Sequence, residues 1–388
     1  MPPFSMRSPT LVLWEAARDT EIAARVAIAG DFLPAGRLAF PARCGWREMA
    51  GSLASHFQDV AATFLNLECP VDVEGLVPRP LAGVGQIVQA PPGSLQYLQA
   101  IHCAAAGIAN NHACDYGLAG VGRTREALAK HAILPLGTGR TLSAPPEISV
   151  RLGRAGVRVG FWASARATQD PASSTRPGVE PATLPRGRQA LQRMKDQGAQ
   201  FCIALLHAGV ARTNYPAPED VRRMDSLARA GFHVVAAAHS HRITGFGRIG
   251  TESGQPSFCF YGLGSLVSGY APSPLEREGL IVVAALGPGG NLARLEVRPV
   301  LLDASGFGTV PEPEIGRVIL QWFERLSGEI ADGSFERRFY EDVSNGLLRF
   351  YARDARTAFR ESGFRGLARK AARLRMHHLR RLAHTVVG

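Results

Sequence analysis

Between residues 25 and 285 the sequence alternates short apolar segments with longer stretches of helical spacing, and this alternation restricts the fold strongly. The apolar segments have the length and the composition of buried strands, and helical stretches such as Leu118–His131 separate them. Strands that alternate with helices form βαβ units, so the pattern predicts a layered α/β domain with a mostly parallel sheet. The predicted strands are Arg25–Ala29, Ala61–Leu67, Ile101–Ile108, Val157–Trp162, Phe201–Leu206, His233–Ala237, Phe258–Tyr261 and Leu280–Ala285.

Polar residues that can bind a metal ion follow five of these strands. They are Asp31, Glu68, Asn111, His207 and His239. In open α/β sheets, ligands bind at the edge formed by the carboxyl ends of the strands. The sequence therefore predicts that these residues meet at one edge and form a metal site.

A second signal surrounds Asn111, where the sequence reads Asn-Asn-His-Ala-Cys-Asp-Tyr-Gly. An imidazole beside an oxygen ligand can act as an acid or a base. If a helix starts here, His112 and Asp115 lie on one face, and the carboxylate orients the imidazole. The alternative is an asparagine that caps a helix beside a solvated histidine.

Two histidines, His239 and His241, follow the predicted strand His233–Ala237. Side chains two residues apart in an extended segment point the same way, so the pair can bind one ion or supply one ligand and one base. Paired histidines also occur on plain surfaces. If the histidines are ligands, Mn, Fe or Zn fits, whereas free histidines leave oxygen donors that favour Ca, Mg or Mn. We expect one divalent ion of the hard kind, with Zn²⁺ less favoured.

The segment after His207 carries polar residues between two apolar stretches, and its prolines indicate a loop. We predict that Arg212, Asn214 and Tyr215 contact the substrate, because arginine can bind a carboxylate with two parallel hydrogen bonds. The alternative is an ordinary polar surface.

The positive charge of the chain is concentrated near its end. The formal net charge is +11, but residues 353–388 contain ten basic and two acidic residues, which leaves +3 for the rest. We predict a catalytic domain over residues 1–310 and a helical, basic extension over 311–388 that packs on it. A basic helix can also bind an acidic partner or a membrane. The extension has few aromatic residues for base stacking, so no nucleic-acid partner is expected.

The cellular location is predicted from what the sequence lacks. It contains no apolar stretch long enough to span a membrane, and its start has no signal-peptide pattern. Six cysteines are scattered singly, which is typical of reduced thiols. We therefore expect a cytoplasmic protein without stable membrane anchoring.

Seven segments occur in the order found in one known family. They are Gly30–Pro34, Asn66–Pro70, Ala109–Val121, Leu136–Gly139, Leu205–Gly209, Ala230–Arg242 and Phe260–Leu266. Together they resemble the CapA-like proteins, the poly-γ-glutamate capsule-synthesis relatives of the calcineurin-like metallophosphoesterases. The resemblance covers roughly residues 25–300 and implies a four-layer α/β/β/α sandwich, here with a C-terminal helical appendage.

The first of these segments departs from the metallophosphoesterase pattern. That pattern begins with Asp-x-His, whereas Phe32 and Leu33 follow Asp31 here. Glu68 stands where the pattern has a second, bridging Asp, as in CapA-like chains. The missing histidine argues against a complete two-metal site and against phosphoesterase activity.

The chain looks most like the soluble branch of CapA-like proteins found with lasso-peptide biosynthesis. That resemblance implies a metal-dependent epimerase that inverts a Cα centre, at the C-terminal residue of a precursor peptide. The alternative is a metallohydrolase, or an amide-bond accessory enzyme, of poly-γ-glutamate metabolism. A peptide is the expected partner in the first case.

Each candidate residue has a role under the epimerase hypothesis. Asp31, Glu68 and Asn111 would hold the metal. His112, steered by Asp115 or Asp31, would be one acid or base, and a histidine on the opposite face would be the other. That second imidazole is His239 or His241, and His207 is either a ligand or a third imidazole.

Overall fold

Two large β-sheets face each other in the computed structural model of the chain. The structure describes residues 9–16, 20–36, 45–79, 87–139, 147–166, 171–173, 177–251, 256–270 and 274–345. The strands are β1 (Leu11–Glu15), β2 (Ala24–Leu33), β3 (Ala62–Leu67), β4 (Cys103–Gly107), β5 (Leu134–Leu136), β6 (Thr138–Gly139), β7 (Glu147–Leu152), β8 (Val157–Ala165), β9 (Gly178–Val179), β10 (Phe201–His207), β11 (Val234–Ala238), β12 (Phe246–Ile249), β13 (Ser257–Phe260), β14 (Ser265–Ser268), β15 (Glu278–Leu286), β16 (Leu292–Leu302) and β17 (Gly308–Thr309).

The helices lie mainly between these strands and after the last one. They are α1 (Trp46–Ala50), α2 (Ala54–Phe57), α3 (Leu95–Ala100), α4 (Gly117–Lys130), α5 (Leu184–Asp196), α6 (Pro218–Ala230) and α7 (Pro313–Ala331). Two 3₁₀ segments, Gly51–Leu53 and Pro274–Arg277, connect elements. Within the described residues, no helix combines the length and the apolar character needed to cross a membrane.

Both large sheets have parallel strands at their centre. Antiparallel strands lie at both edges of the second sheet, but at one edge only of the first, whose other edge strand, β5, is parallel to β4. The first sheet has the order β1-β16-β15-β2-β3-β4-β5, with β14 beside β2 and β17 beside β16. The second has the order β12-β13-β11-β10-β8-β7. Strands β2 to β5 run parallel, as do β8, β10, β11 and β13, whereas β15 pairs antiparallel with β2. The predicted mostly parallel sheet is thus correct only for the central strands.

The main core lies between the sheets. In β2, Val26 and Ile28 face the second sheet, while Ala27 and Ala29 face the helices on the outside, because successive side chains alternate along a strand. Across the interface, the rings of Phe64 and Phe161 lie 5.0 Å apart. Helices α1, α3 and α4 cover the first sheet, and α5 and α6 cover the second. The four-layer α/β/β/α sandwich predicted from the resemblance is therefore confirmed.

Helix α7 packs against one edge of the second sheet. Phe323 is fully buried there, and its ring stacks on those of Phe246 and Phe260 at 5.5 and 6.4 Å. Residues 335–345 form a further helical stretch. The predicted basic part of the extension, residues 353–388, lies outside the described residues.

Candidate metal centre

Donors from both sheets meet at the edge formed by the parallel strands. The first sheet supplies Asp31 from β2, Glu68 directly after β3 and Asn111 after β4. The second sheet supplies His207 at the end of β10 and two histidines after β11. The expected position of one donor needs correction: Asp31 lies inside β2, because β14 pairs alongside and extends the strand to Leu33.

A close approach of two backbones fixes the Asp31 side chain. The Asp31 N–H donates to the Gly264 carbonyl at 3.0 Å. A Cβ atom on Gly30 would lie 2.0 Å from that carbonyl oxygen, so only glycine fits at position 30. Glycine at this position thus lets β14 pair with β2 beside the donors.

The buried Glu68 carboxylate lies at the centre of the donors. Its Oε1 is 3.4 Å from His207 Nε2 and 3.8 Å from His239 Nδ1. Its Oε2 is 3.7 Å from His241 Nδ1, which is 3.1 Å from Asp31 Oδ2. These side chains form two groups, Glu68–His207–His239 and Asp31–Glu68–His241, in which the ligand atoms lie within 4.8 Å of one another. Glu68 belongs to both groups.

The residues fit divalent cations. Glu68 Oε2 and His239 Nδ1 are buried and have no hydrogen-bond partner among the described residues. Buried polar atoms without a partner are costly. A cation in the Asp31–Glu68–His241 group would satisfy Glu68 Oε2, and a cation in the Glu68–His207–His239 group would satisfy His239 Nδ1. Each group mixes carboxylate with imidazole, which suits Mn²⁺, Fe²⁺ or Zn²⁺. Each group has three donors, so these residues can hold either one or two cations. The single ion of the Ca²⁺ or Mg²⁺ type that the sequence predicts is therefore untested.

Asn111 adds an oxygen to the first of these groups. Its Oδ1 lies 2.6 Å from His207 Nε2, on the side of the imidazole that also faces Glu68. An amide oxygen here can serve as a further ligand beside Glu68, His207 and His239.

Two asparagines that the sequence reasoning did not select hold the donors in place. The Asn66 amide donates to Asp31 Oδ1 at 2.7 Å and lies 3.2 Å from His207 Nδ1. The Asn110 amide donates to the Leu67 carbonyl at 2.8 Å and to Asn66 Oδ1 at 3.3 Å. Asn66 therefore connects one ligand of each group. The signal for it was a polar residue within an otherwise apolar predicted strand.

His112 and Asp115 form a pair beside the donors. His112 Nδ1 lies 2.9 Å from Asp115 Oδ2, which also accepts the Val88 N–H at 2.9 Å. Residues 111–116 form a turn and α4 begins at Gly117, so the pair belongs to a turn and not to the helix face considered above. The carboxylate still orients the imidazole, whose side chain is 13% exposed.

The backbone of the second sheet's histidines is unusual. His239 and His241 have φ angles of 103° and 54°, so the extended segment expected from the sequence is wrong. Arg212, whose N–H donates to the Ser240 carbonyl at 2.7 Å, also has a positive φ, of 67°. Non-glycine residues in this region carry strain, which is concentrated at functional sites. The His239 N–H donates to Asp31 Oδ2 at 3.0 Å.

Burial and neighbouring charges shift the pKa values of Asp31, His207 and His241 in the centre. Burial alone would raise the pKa of Asp31, but hydrogen bonds from His241, His239 and Asn66 hold it below its usual value. Burial, with the neighbouring histidine charges, holds the pKa of His207 well below its usual range. Burial opposes the charge on His241, yet the carboxylates of Glu68 and Asp31 raise its pKa to about 9. Without metal, His241 is protonated at neutral pH.

This protonation predicts a pH dependence for metal binding. A cation that takes the His241 nitrogen must displace its proton, so Mn²⁺ affinity should rise as pH increases, by up to about tenfold per unit below pH 9. Calorimetric titrations at pH 6, 7 and 8, in buffers of different ionisation enthalpy, measure both the affinity and the proton release. In His241→Asn this proton is absent, and the remaining affinity should change less with pH. An equal slope in both proteins would contradict the prediction.

The three residues predicted to contact substrate occupy different environments. The Arg212 side chain is 59% exposed, with its Nε 3.6 Å from Glu276. Asn214 is buried and accepts a hydrogen bond from Arg242 at 2.9 Å. Tyr215 belongs to the core between the sheets, and its hydroxyl bonds to Glu329 of α7. The roles of all three remain predictions.

The family model of the bacterial capsule synthesis protein PGA_cap matches residues 25–270, which is more than half of the chain and contains every donor described above. The chain belongs to this family. No curated protein matches the sequence.

The chain is similar to several solved structures at low sequence identity. A 5'-nucleotidase precursor from Thermus thermophilus is 14% identical, with a TM-score of 0.46 over 78% of this chain and 58% of that one. The NAD nucleotidase of Haemophilus influenzae is 12% identical, with a TM-score of 0.43 over 78% and 56%. The 5'-nucleotidase of Candida albicans is 10% identical, with a TM-score of 0.42 over 81% and 59%. The present chain, a member of the PGA_cap family, therefore spans less than two thirds of the length of each of these three proteins.

Proposed function

We propose that the chain is a metal-dependent hydrolase in which the two donor groups would each hold a divalent cation, with Glu68 as the bridging ligand that they share. One observation carries the proposal: the two oxygens of the buried Glu68 carboxylate face two separate groups of donors. Asp31 and His241 complete one group, and His207 and His239 complete the other. Two cations held close together by a shared carboxylate are typical of enzymes that hydrolyse esters and amides.

The chain's own residues have distinct tasks in this reaction. Asp31 and Glu68 supply negative charge, and Asn66 holds Asp31 and His207 in register by its hydrogen bonds. His112, with Nδ1 held by Asp115, can present a proton on its other nitrogen to a leaving group. Bound cations would polarise the scissile group and lower the pKa of a water molecule.

Under this proposal the substrate is an amide of poly-γ-glutamate, because the sequence resembles poly-γ-glutamate capsule-synthesis proteins and the matching family is described as a capsule synthesis protein. A peptide-like partner and a cytoplasmic location, both predicted from the sequence, are part of this proposal. Protein loaded with Mn²⁺ and incubated with poly-γ-glutamate should release shorter fragments, detected by mass spectrometry. Chelation with EDTA should stop the release. The phosphodiester bis-p-nitrophenyl phosphate serves as a second test substrate. If the Mn²⁺-loaded protein cleaves neither this compound nor poly-γ-glutamate, the proposed hydrolase activity is contradicted.

A second function, peptide epimerisation, is favoured by a separate observation. The centre contains two imidazole–carboxylate pairs, His112–Asp115 at 2.9 Å and His241–Asp31 at 3.1 Å. One imidazole can remove a Cα proton, and the other can return a proton to the opposite face. A cation held by Glu68, His207 and His239 would supply the positive charge that makes the Cα proton easier to remove.

Deuterium separates the two functions. In D₂O, an epimerase should incorporate one deuteron at a single Cα of its peptide, with no fragments and no other mass change. Fragments without deuterium at Cα support the hydrolase instead. A peptide panel that shows no Cα exchange, while poly-γ-glutamate is cleaved, would eliminate epimerisation.

A further inference from the structure

A group of polar side chains beside the His239–His241 segment has no role in the reactions described above. Its members, called here the arginine cluster, are Arg212, Asn214, Arg242, Glu276 and Glu278. The hydrogen bond from the Arg212 N–H to the Ser240 carbonyl places this arginine next to the metal centre. Arg242 directly follows His241, and the charge of Glu276 contributes to the raised pKa of His241. The arginine cluster therefore adjoins the donors.

The two arginines are bound only loosely to their acidic partner. The buried Glu276 lies 3.6 Å from Arg212 Nε and 3.5 Å from Arg242 Nη2, which are ion-pair distances longer than good hydrogen bonds. Arg242 donates one hydrogen bond, at 2.9 Å, to Asn214 Oδ1. A guanidinium has five N–H donors, so both arginines retain unused capacity.

Two buried donors in the arginine cluster have no acceptor. Arg242 Nε and Asn214 Nδ2 are buried and form no hydrogen bond with any described residue. A buried donor without an acceptor costs stability, and such a cost is often retained where a ligand supplies the acceptor. A ligand that satisfies both donors would carry acceptor oxygens.

The charge of the arginine cluster indicates what that group is. Arg212 and Arg242 carry two positive charges, and Glu276 carries one negative charge. Burial raises the pKa of Glu278 to about 7, so this carboxyl is readily neutralised when an anion approaches. The remaining single positive charge matches a carboxylate better than a doubly charged phosphate. The fork of a guanidinium also fits the two oxygens of a carboxylate.

We propose that Arg212, Arg242 and Asn214 form a carboxylate-binding subsite that holds an acidic side chain or terminus of the substrate beside the metal centre. Arg212, with its side chain 59% exposed, is the group that the incoming carboxylate meets first. Glu276 and Asn214 position the two guanidinium groups. The inference deepens the proposed hydrolase function and rests on it, because it names an acidic, peptide-like substrate.

Binding of a γ-linked glutamate trimer to the full chain loaded with Mn²⁺ tests this subsite. Calorimetry in a His112→Gln background keeps the trimer from being consumed. In that background, Arg212→Gln should weaken binding at least tenfold, and Arg212→Lys should recover part of the loss, since it restores charge without the fork. Arg317→Gln is the matched control, because the Arg317 side chain is equally exposed at 59% and also faces a glutamate. Its affinity should not change.

A trimer with amidated carboxyl groups should also bind weakly. Its affinity for the His112→Gln protein should not exceed the affinity of the acidic trimer for the Arg212→Gln variant in that background. The subsite would be overturned if Arg212→Gln changed the affinity for the acidic trimer by less than twofold. It would also be overturned if the His112→Gln protein bound the amidated trimer as tightly as the acidic one. Displacement of the acidic trimer by an equal concentration of inorganic phosphate would overturn the carboxylate assignment. Thermal unfolding of each variant establishes that it is folded.

These results are separate from those that test the hydrolase. Arginine-dependent binding of the trimer without fragment release by the wild-type protein would contradict the hydrolase and support the subsite. Fragment release with no preference for the acidic trimer would contradict the subsite and support the hydrolase.

Discussion

Glu68→Gln is expected to lose both cations and to reduce fragment release at least about 100-fold. Glutamine has nearly the same size, but it offers one neutral oxygen where two charged oxygens face the two donor groups. The remaining donors of each group then lack their common ligand. Metal content after dialysis and the rate of fragment release from poly-γ-glutamate measure the two losses.

A second buried glutamate controls for the loss of a buried charge. Glu147, at the start of β7 in the second sheet, is 4% exposed and pairs with Arg193 of α5. Neither residue belongs to the donor groups. Glu147→Gln should lower the free energy of unfolding, because it leaves Arg193 without its partner, but it should retain the bound metal. If Glu68→Gln keeps two equivalents of metal after dialysis, the bridging role is wrong.

Phe323→Ala is expected to lower the free energy of unfolding by about 3–5 kcal/mol. The phenyl ring is fully buried and stacks on Phe246 and Phe260, so its removal leaves a cavity that aromatic neighbours cannot easily fill. Urea unfolding followed by circular dichroism and by tryptophan fluorescence measures the change.

A control on the same helix distinguishes packing from helix propensity. Val318 is 61% exposed on α7, and Val318→Ala should change the free energy of unfolding by no more than about 0.5 kcal/mol. The Phe323 variant also tests the predicted division at residue 310. A single unfolding transition, shifted as a whole, means that α7 folds with the body. A separate early transition would mean that residues after 310 form their own unit.

The alternation of strands and helices was sufficient to predict the centre of each sheet, but not the edges. Parallel central strands are apolar on both faces and read as continuous apolar segments, as in Phe201–Leu206. The edge strand β1 and its neighbour β16 contain charged residues, because one of their faces is only partly covered. The short β14 escaped prediction because its pairing with β2 depends on glycine at position 30, which is a tertiary contact.

That these donors lie together was predictable, because each lies near or after the carboxyl end of a strand, and these ends share one edge. Asn66 was missed because a polar residue inside an apolar strand does not indicate a role until its neighbours Asp31 and His207 are known. The left-handed backbone of His239 and His241 was equally hidden, because contacts with the first sheet impose it. The burial of Tyr215 was not predictable either, because its polar loop sequence gives no sign that the ring joins the core between the sheets.

The donors come from two sheets, and this has a consequence for how the protein assembles. Asp31 and Glu68 belong to one sheet and the three histidines to the other, so neither donor group exists until the sheets have packed. Cations that bind only the packed state link the two sheets and stabilise the folded protein. At a free concentration 100 times the dissociation constant, each cation adds about 2.7 kcal/mol to the free energy of unfolding. The concentration of metal in the cell would then determine the fraction of this protein that is folded, as well as its activity.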